Sequence, residues 1–76
     1  MSVPVLMKGE WIEVSVPSSF TGAMALAYAS TWASLRNKLS DEKEVNVLTE
    51  AIVYQRMFPG LVYHKKLQER IIKVLE

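Results

Sequence analysis

The chain has 76 residues, a net charge of +1, one histidine and no cysteine, and half of its residues are hydrophobic. That length makes one domain spanning residues 1–76, and that hydrophobic content argues against disorder. Without cysteine there is no disulfide framework or thiolate metal site, so a small core must rely on dense packing or self-association.

The first residues show no basic stretch followed by an apolar run, so no signal peptide is expected and the chain reads as cytoplasmic. Val3 to Met7 and Trp11 to Val16 are rich in β-branched and aromatic residues and flank Gly9, which predicts a hairpin over about 3–16. A two-residue loop at Gly9-Glu10 suits a type II′ turn and would pair Met7 with Ile12, Val5 with Val14 and Val3 with Val16. A loop at Lys8-Gly9 shifts the pairing by two and leaves every side chain on the same face. Either way Val3, Val5, Met7, Ile12, Val14 and Val16 form the buried face, and Leu6, Trp11, Glu13 and Ser15 the other. Pro4 lacks an N–H and marks an edge strand. Two strands alone are marginal in water, so the hairpin must pack on helices, on another chain, or on both.

Ser18 or Ser19 can cap a first helix over about 19–39. No charged residue occurs between Glu13 and Arg36. Met24, Tyr28, Trp32, Leu35 and Leu39 share one helical face, and Ala25, Ala29 and Ala33 form a smooth strip beside it. A helix without a charged side is expected to be covered on most sides, as the central helix of the domain. The alanine strip fits either close packing within the monomer or self-association. The stretch is too short and too polar for a membrane span.

Asp41 and Glu44 resemble a capping box for a second helix over about 42–58, which Pro59-Gly60 stops. Its apolar arc reads as Val45, Val47, Leu48, Ala51, Ile52, Tyr54 and Phe58. Val53 and Met57 fall on the polar side, where they would be exposed or at an interface. A third helix over about 61–75 carries an apolar stripe of Leu67, Ile71, Val74 and Leu75, with Tyr63 and Ile72 at its edges. Lys65–Glu69 and Glu69–Lys73 are spaced as exposed ion pairs. The expected fold is therefore α+β and mostly helical: an N-terminal hairpin packed on a three-helix unit, in the order β-β-α-α-α.

Signals for catalysis are sparse. His64 alone supports neither a zinc site nor a Ser–His triad, and its place in the apolar arc of the third helix suits a packed histidine. Glu10 and Glu13 face opposite sides of a strand, and no glycine-rich phosphate loop is present. The chain is thus expected to be no enzyme, with no catalytic residues, no cofactor, no metal and no small-molecule substrate. Protein interaction fits better. Exposed hairpin edges invite strand addition, and Trp11 with Leu6 makes an aromatic–aliphatic patch. The partner-binding candidates are Leu6, Trp11, Val53 and Met57, and the self-association candidates are Ala25, Ala29 and Ala33. The expected role is a small protein-binding module that forms homodimers or binds and occludes another protein, in the manner of a phage or mobile-element accessory or inhibitor protein. The alternative is a DNA-binding protein that reads with the basic stripe Lys66, Arg70 and Lys73 on a helix following a Pro-Gly turn.

Overall fold

Two strands and three helices follow one another in the predicted order in the computed structural model, which describes residues 1–60 and 64–76. They are β1 (Ser2–Met7), β2 (Glu10–Ser15), α1 (Gly22–Lys38), α2 (Glu42–Met57) and α3 (Lys65–Leu75). The architecture is the expected α+β one, with an antiparallel hairpin packed on helices.

The hairpin register differs from the preferred prediction by two residues. Val3 pairs with Val14, Val5 with Ile12, Leu6 with Trp11 and Met7 with Glu10, so the loop is Lys8-Gly9. Both loop residues have positive φ, 51° and 81°, which is the type I′ geometry whose twist matches that of the strands. Glycine takes this conformation freely, whereas Lys8 pays a steric cost for it. Faces are unchanged by the shift. Val14 and Val16 are buried, Val3, Val5, Met7 and Ile12 half-buried, and Leu6, Trp11, Glu13 and Ser15 exposed. Met1 and Val16 exchange backbone hydrogen bonds in both directions, at 2.7 and 3.3 Å. Antiparallel alternation then makes Val3–Val14 and Val5–Ile12 hydrogen-bonded pairs, and leaves Pro4–Glu13 and Leu6–Trp11 as the pairs between them. Pro4 therefore interrupts no ladder bond, because its nitrogen points to the outer edge of β1.

Helix α1 is the central element, lying against both strands and α2. It starts at Gly22, later than predicted. Neither Ser18 nor Ser19 caps it: Thr21 holds the N-cap position without a side-chain hydrogen bond, and Gly22 enters the helix at φ +54°. Tyr28 and Leu35 are buried, and Met24, Trp32 and Leu39 half-buried, on the predicted large-residue face. Ala25, Ala29 and Ala33 are buried within the monomer. One expectation needs correcting. Ala23, Leu26, Ser30 and Ser34 are exposed, so a whole uncharged side of α1 faces solvent.

In α2, Asp41 is the N-cap and accepts from the backbone N–H groups of Lys43 and Glu44. The buried arc is Val45, Leu48, Thr49, Ala51, Ile52 and Val53, while Val47 and Phe58 are exposed. Relative to the sequence reading, the arc is rotated so that Val45, Thr49 and Val53 form a fully buried stripe. In α3, Ile71 is buried and Leu67 and Val74 are half-buried, but Leu75 and Ile72 are exposed. The predicted start of this helix at 61 and the predicted role of Tyr63 lie outside the described residues.

The core has two parts. Val14, Val16, Phe20, Ala25, Tyr28, Ala29 and Val53 join the hairpin to α1 and α2. Leu35, Val45, Leu48, Ala51, Ile52 and Ile71 join α1, α2 and α3. Trp32 packs against both. Phe20 anchors the first part, with ring centroids 5.0 Å from Tyr28 and 5.0 Å from Tyr54. The contact with Tyr28 is edge-to-face and that with Tyr54 tilted, and aromatic pairs of this kind add to the area they bury.

Candidate functional site

Pairing Leu6 with Trp11 across the strands puts both side chains on the outer face of the hairpin. They are 56% and 72% exposed, respectively. Their Cα atoms belong to a non-hydrogen-bonded pair, the closer kind at about 4.5 Å, so the two side chains form one patch. Glu13 and Ser15 continue the same face. Of the other partner-binding candidates, Val53 is buried between α1 and the hairpin, so it offers nothing to a partner. Met57 is exposed, but it lines a separate apolar hollow with Tyr54, Phe58, Pro59 and Gly60 at the end of α2. The self-association candidates Ala25, Ala29 and Ala33 are likewise spent inside the monomer, where their small size lets α2 approach α1.

A second feature adjoins β2. A groove of about 480 Å³ is lined by Glu13, Ser15, Val16 and Pro17 from the hairpin side, Tyr28 and Trp32 from α1, and Glu42, Asn46 and Glu50 from α2. The three α2 residues are spaced by four and form a single stripe along the helix. The Trp32 indole Nε1–H donates to Asn46 Oδ1 at 2.6 Å. Because indole is only a donor, this contact fixes the amide orientation and leaves the Asn46 Nδ2 donors for the groove. Tyr28 is 3% exposed, yet its hydroxyl has no hydrogen-bond partner among the described residues. Burial, and secondarily the Glu50 carboxylate, raise the phenol above its ordinary range, so it remains a donor at neutral pH. No lysine or arginine is among the lining residues. Among the described residues no group of three His, Asp or Glu side chains is placed to hold a metal ion.

The basic stripe is altered by its neighbours. Arg70 Nε and Nη2 donate to Glu44 Oε2 and Oε1 at 2.7 and 2.9 Å, a fork-to-fork pair that ties α3 to α2. Glu44 therefore leaves the capping box to Asp41 alone. The Arg70 hydrogen bonds, with its charge as a smaller contribution, hold the Glu44 carboxyl below the usual carboxylate range. Lys66 and Lys73 remain exposed on either side. Among the described residues Arg70–Glu44 is the single ion pair, so the predicted Lys65–Glu69 and Glu69–Lys73 pairs are not formed. His64 is not packed in the core. It is exposed at the N-cap of α3, and its Nδ1 accepts from the Lys66 N–H at 3.2 Å.

Sequence reasoning placed Leu6, Trp11, Glu13 and Ser15 on the outer face of the hairpin but missed the groove. Its one local signal was the polar spacing of Glu42, Asn46 and Glu50. No family model, no curated protein and no solved structure matches the chain. Among the described residues no helix is long and apolar enough to cross a membrane.

Proposed function

We propose that the chain is a non-catalytic protein-interaction module that binds another protein through the outer face of its hairpin. The observation that carries this reading is the exposed Leu6–Trp11 pair on a two-stranded sheet, with no further layer over these two side chains among the described residues. Trp is the side chain most often found as an energetic anchor, because it buries a large area at little rotamer cost. The two side chains together offer on the order of 300 Å². A stable dimer needs about 800 Å² from each partner. The patch is therefore an anchor within a larger contact, and a self-complementary pairing of two such patches falls short of a stable homodimer. The DNA-binding alternative loses its central charge, since Arg70 is already engaged by a carboxylate. Two exposed lysines supply a small counterion-release effect.

The test combines solution mass with partner retention. Wild-type protein and a folded Trp11→Ala variant are expected to sediment as monomers across a wide concentration range. A protein retained by immobilised wild type and lost on Trp11→Ala would be the partner held by this face. A wild-type dimer that Trp11→Ala dissolves would assign the face to a second copy and overturn the reading. Partners retained equally by both proteins would remove Trp11 from the interface.

A further inference from the structure

We propose that the groove between β2 and α2 takes an extended peptide segment bearing lysine or arginine, which adds to β2 as a third strand and sets its cations against Glu42 and Glu50. This rests on the module reading above and supplies the chemistry of the partner. Three independent features converge on it.

The first is the open edge. By the alternation of the ladder, the backbone N–H and C=O groups of Trp11, Glu13 and Ser15 point away from β1. None of them has a hydrogen-bond partner among the described residues. The opposite edge, on β1, lacks a donor at Pro4 in its middle. Strand addition therefore favours β2, where Glu13 and Ser15 also line the groove. The second feature is charge. Glu13, Glu42 and Glu50 line the groove without a basic residue among them. Glu42 and Glu50 are eight residues apart on α2, about 12 Å along the axis. In an extended strand, side chains at i and i+4 share a face and stand about 13 Å apart, so two cations at that spacing meet both carboxylates. The third feature is the polar equipment of the groove wall. The Tyr28 hydroxyl, at the tip of an otherwise buried side chain, and the Asn46 amide are donors without acceptors among the described residues, and both line the groove, placed for the carbonyls of a bound main chain. Backbone donors and acceptors would be idle for a metal ion or a simple polyamine, and they are the natural complement of a peptide.

The probe is the peptide acetyl-Thr-Lys-Thr-Val-Thr-Lys-Thr-amide, titrated into the isotope-labelled full chain and followed by amide and indole NMR shifts. The expected result is shifts at the Trp11, Glu13 and Ser15 amides and at the Trp32 indole, weakening as salt is raised. The Glu42→Gln, Glu50→Gln double variant, whose substitutions are exposed and isosteric, should bind at least ~5-fold more weakly, while Lys66→Ala binds unchanged. Spermine should leave the Glu13 and Ser15 amides unmoved. The proposal is overturned by an absence of shifts at the β2 edge at about 5 mM peptide, where a millimolar Kd still registers. It is equally overturned by unaltered affinity in the double variant, or by spermine shifting the same amides. In each of these cases a partner that depends on Trp11 would still support the module reading, so the two failures are distinguishable.

Discussion

Thr49 is the sharpest point at which packing and polarity conflict. It is fully buried on α2, between Val45 and Val53 one turn away on either side, and both valines are fully buried as well. Its hydroxyl has no hydrogen-bond partner among the described residues. A hydroxyl taken from water and left unpaired costs about 1–3 kcal/mol. Thr49→Val replaces it with a methyl group of nearly the same volume and the same branching, and helix propensity barely changes between the two residues. The expected gain is therefore about 1–2 kcal/mol, which for a domain of this size raises Tm by roughly 4–8 °C for each kcal/mol. Urea denaturation followed by circular dichroism should show a higher midpoint with an unchanged slope, since the exposed area of the unfolded chain stays the same. Thr49→Ser provides the opposite control. It keeps the unpaired hydroxyl, removes the methyl group, and should lose about 1 kcal/mol. If Thr49→Val instead destabilises the protein by about 1 kcal/mol, the hydroxyl has a partner. The obvious acceptor would be a carbonyl one turn earlier, and the argument from an orphaned group would fail.

Two further predictions follow from local geometry. Lys8→Asn converts the hairpin loop to Asn-Gly, the preferred type I′ pair, and should stabilise the chain by about 0.5–1 kcal/mol in the same denaturation assay, because asparagine tolerates the positive φ that Lys8 holds at 51°. No gain would mean that the loop does not hold this conformation in solution. The Glu44–Arg70 pair lowers the folded-state value of the Glu44 carboxyl below its unfolded value of about 4.3. Its stabilising contribution is therefore complete above that unfolded value and is lost as pH falls through the lower folded one. Glu44→Gln should flatten the decline in stability below about pH 4, and an identical acid profile in the variant would show that the pair has no linked protonation.

The parts of the fold that were legible in the sequence are those governed by one dominant local signal. Gly9 with flanking β-branched residues fixed the hairpin, Asp41 fixed the start of α2, and the period of two fixed which strand residues turn inward. Register was not legible, because two adjacent loops each contain Gly9 in a favourable position and keep the same side chains inside. Type I′ and type II′ loops both match the twist of the strands, so no local signal separates them, and the structure takes the type I′ loop at the expense of Lys8. The buried arc of α2 was misread for a different reason. Counting Thr49 as polar breaks the stripe Val45–Thr49–Val53, and Val53 then looks stranded among polar residues. Once α1 presents alanines, α2 comes close enough to bury a threonine without a partner, and the apparent outlier becomes part of the core. His64 shows the same competition: its side chain serves an orphan N–H at the start of α3 rather than the apolar arc that its spacing suggested.

The site divides along the same line. Trp11 and Leu6 were legible because a strand alternates and a tryptophan on the outer face stands out. The groove was not, because no single segment contains it. Glu13 and Ser15 come from β2, Tyr28 and Trp32 from α1, and Glu42, Asn46 and Glu50 from α2. Each has an ordinary local explanation: a solvated strand face, a core aromatic, a polar helix side. What joins them is the docking of α2 against α1 beside an edge strand, which turns three unremarkable stripes into one acidic channel. The same docking explains why the exposed aromatic and the channel belong to one surface. Trp11 and Glu13 are two residues apart on β2, so their side chains share the outer face while their backbone groups share the open edge. A partner strand seated on that edge would carry half of its own side chains onto the face where Trp11 and Leu6 wait. The anchor patch is too small to hold a partner alone, and in the proposed binding mode the edge with its carboxylates would supply the remaining contact.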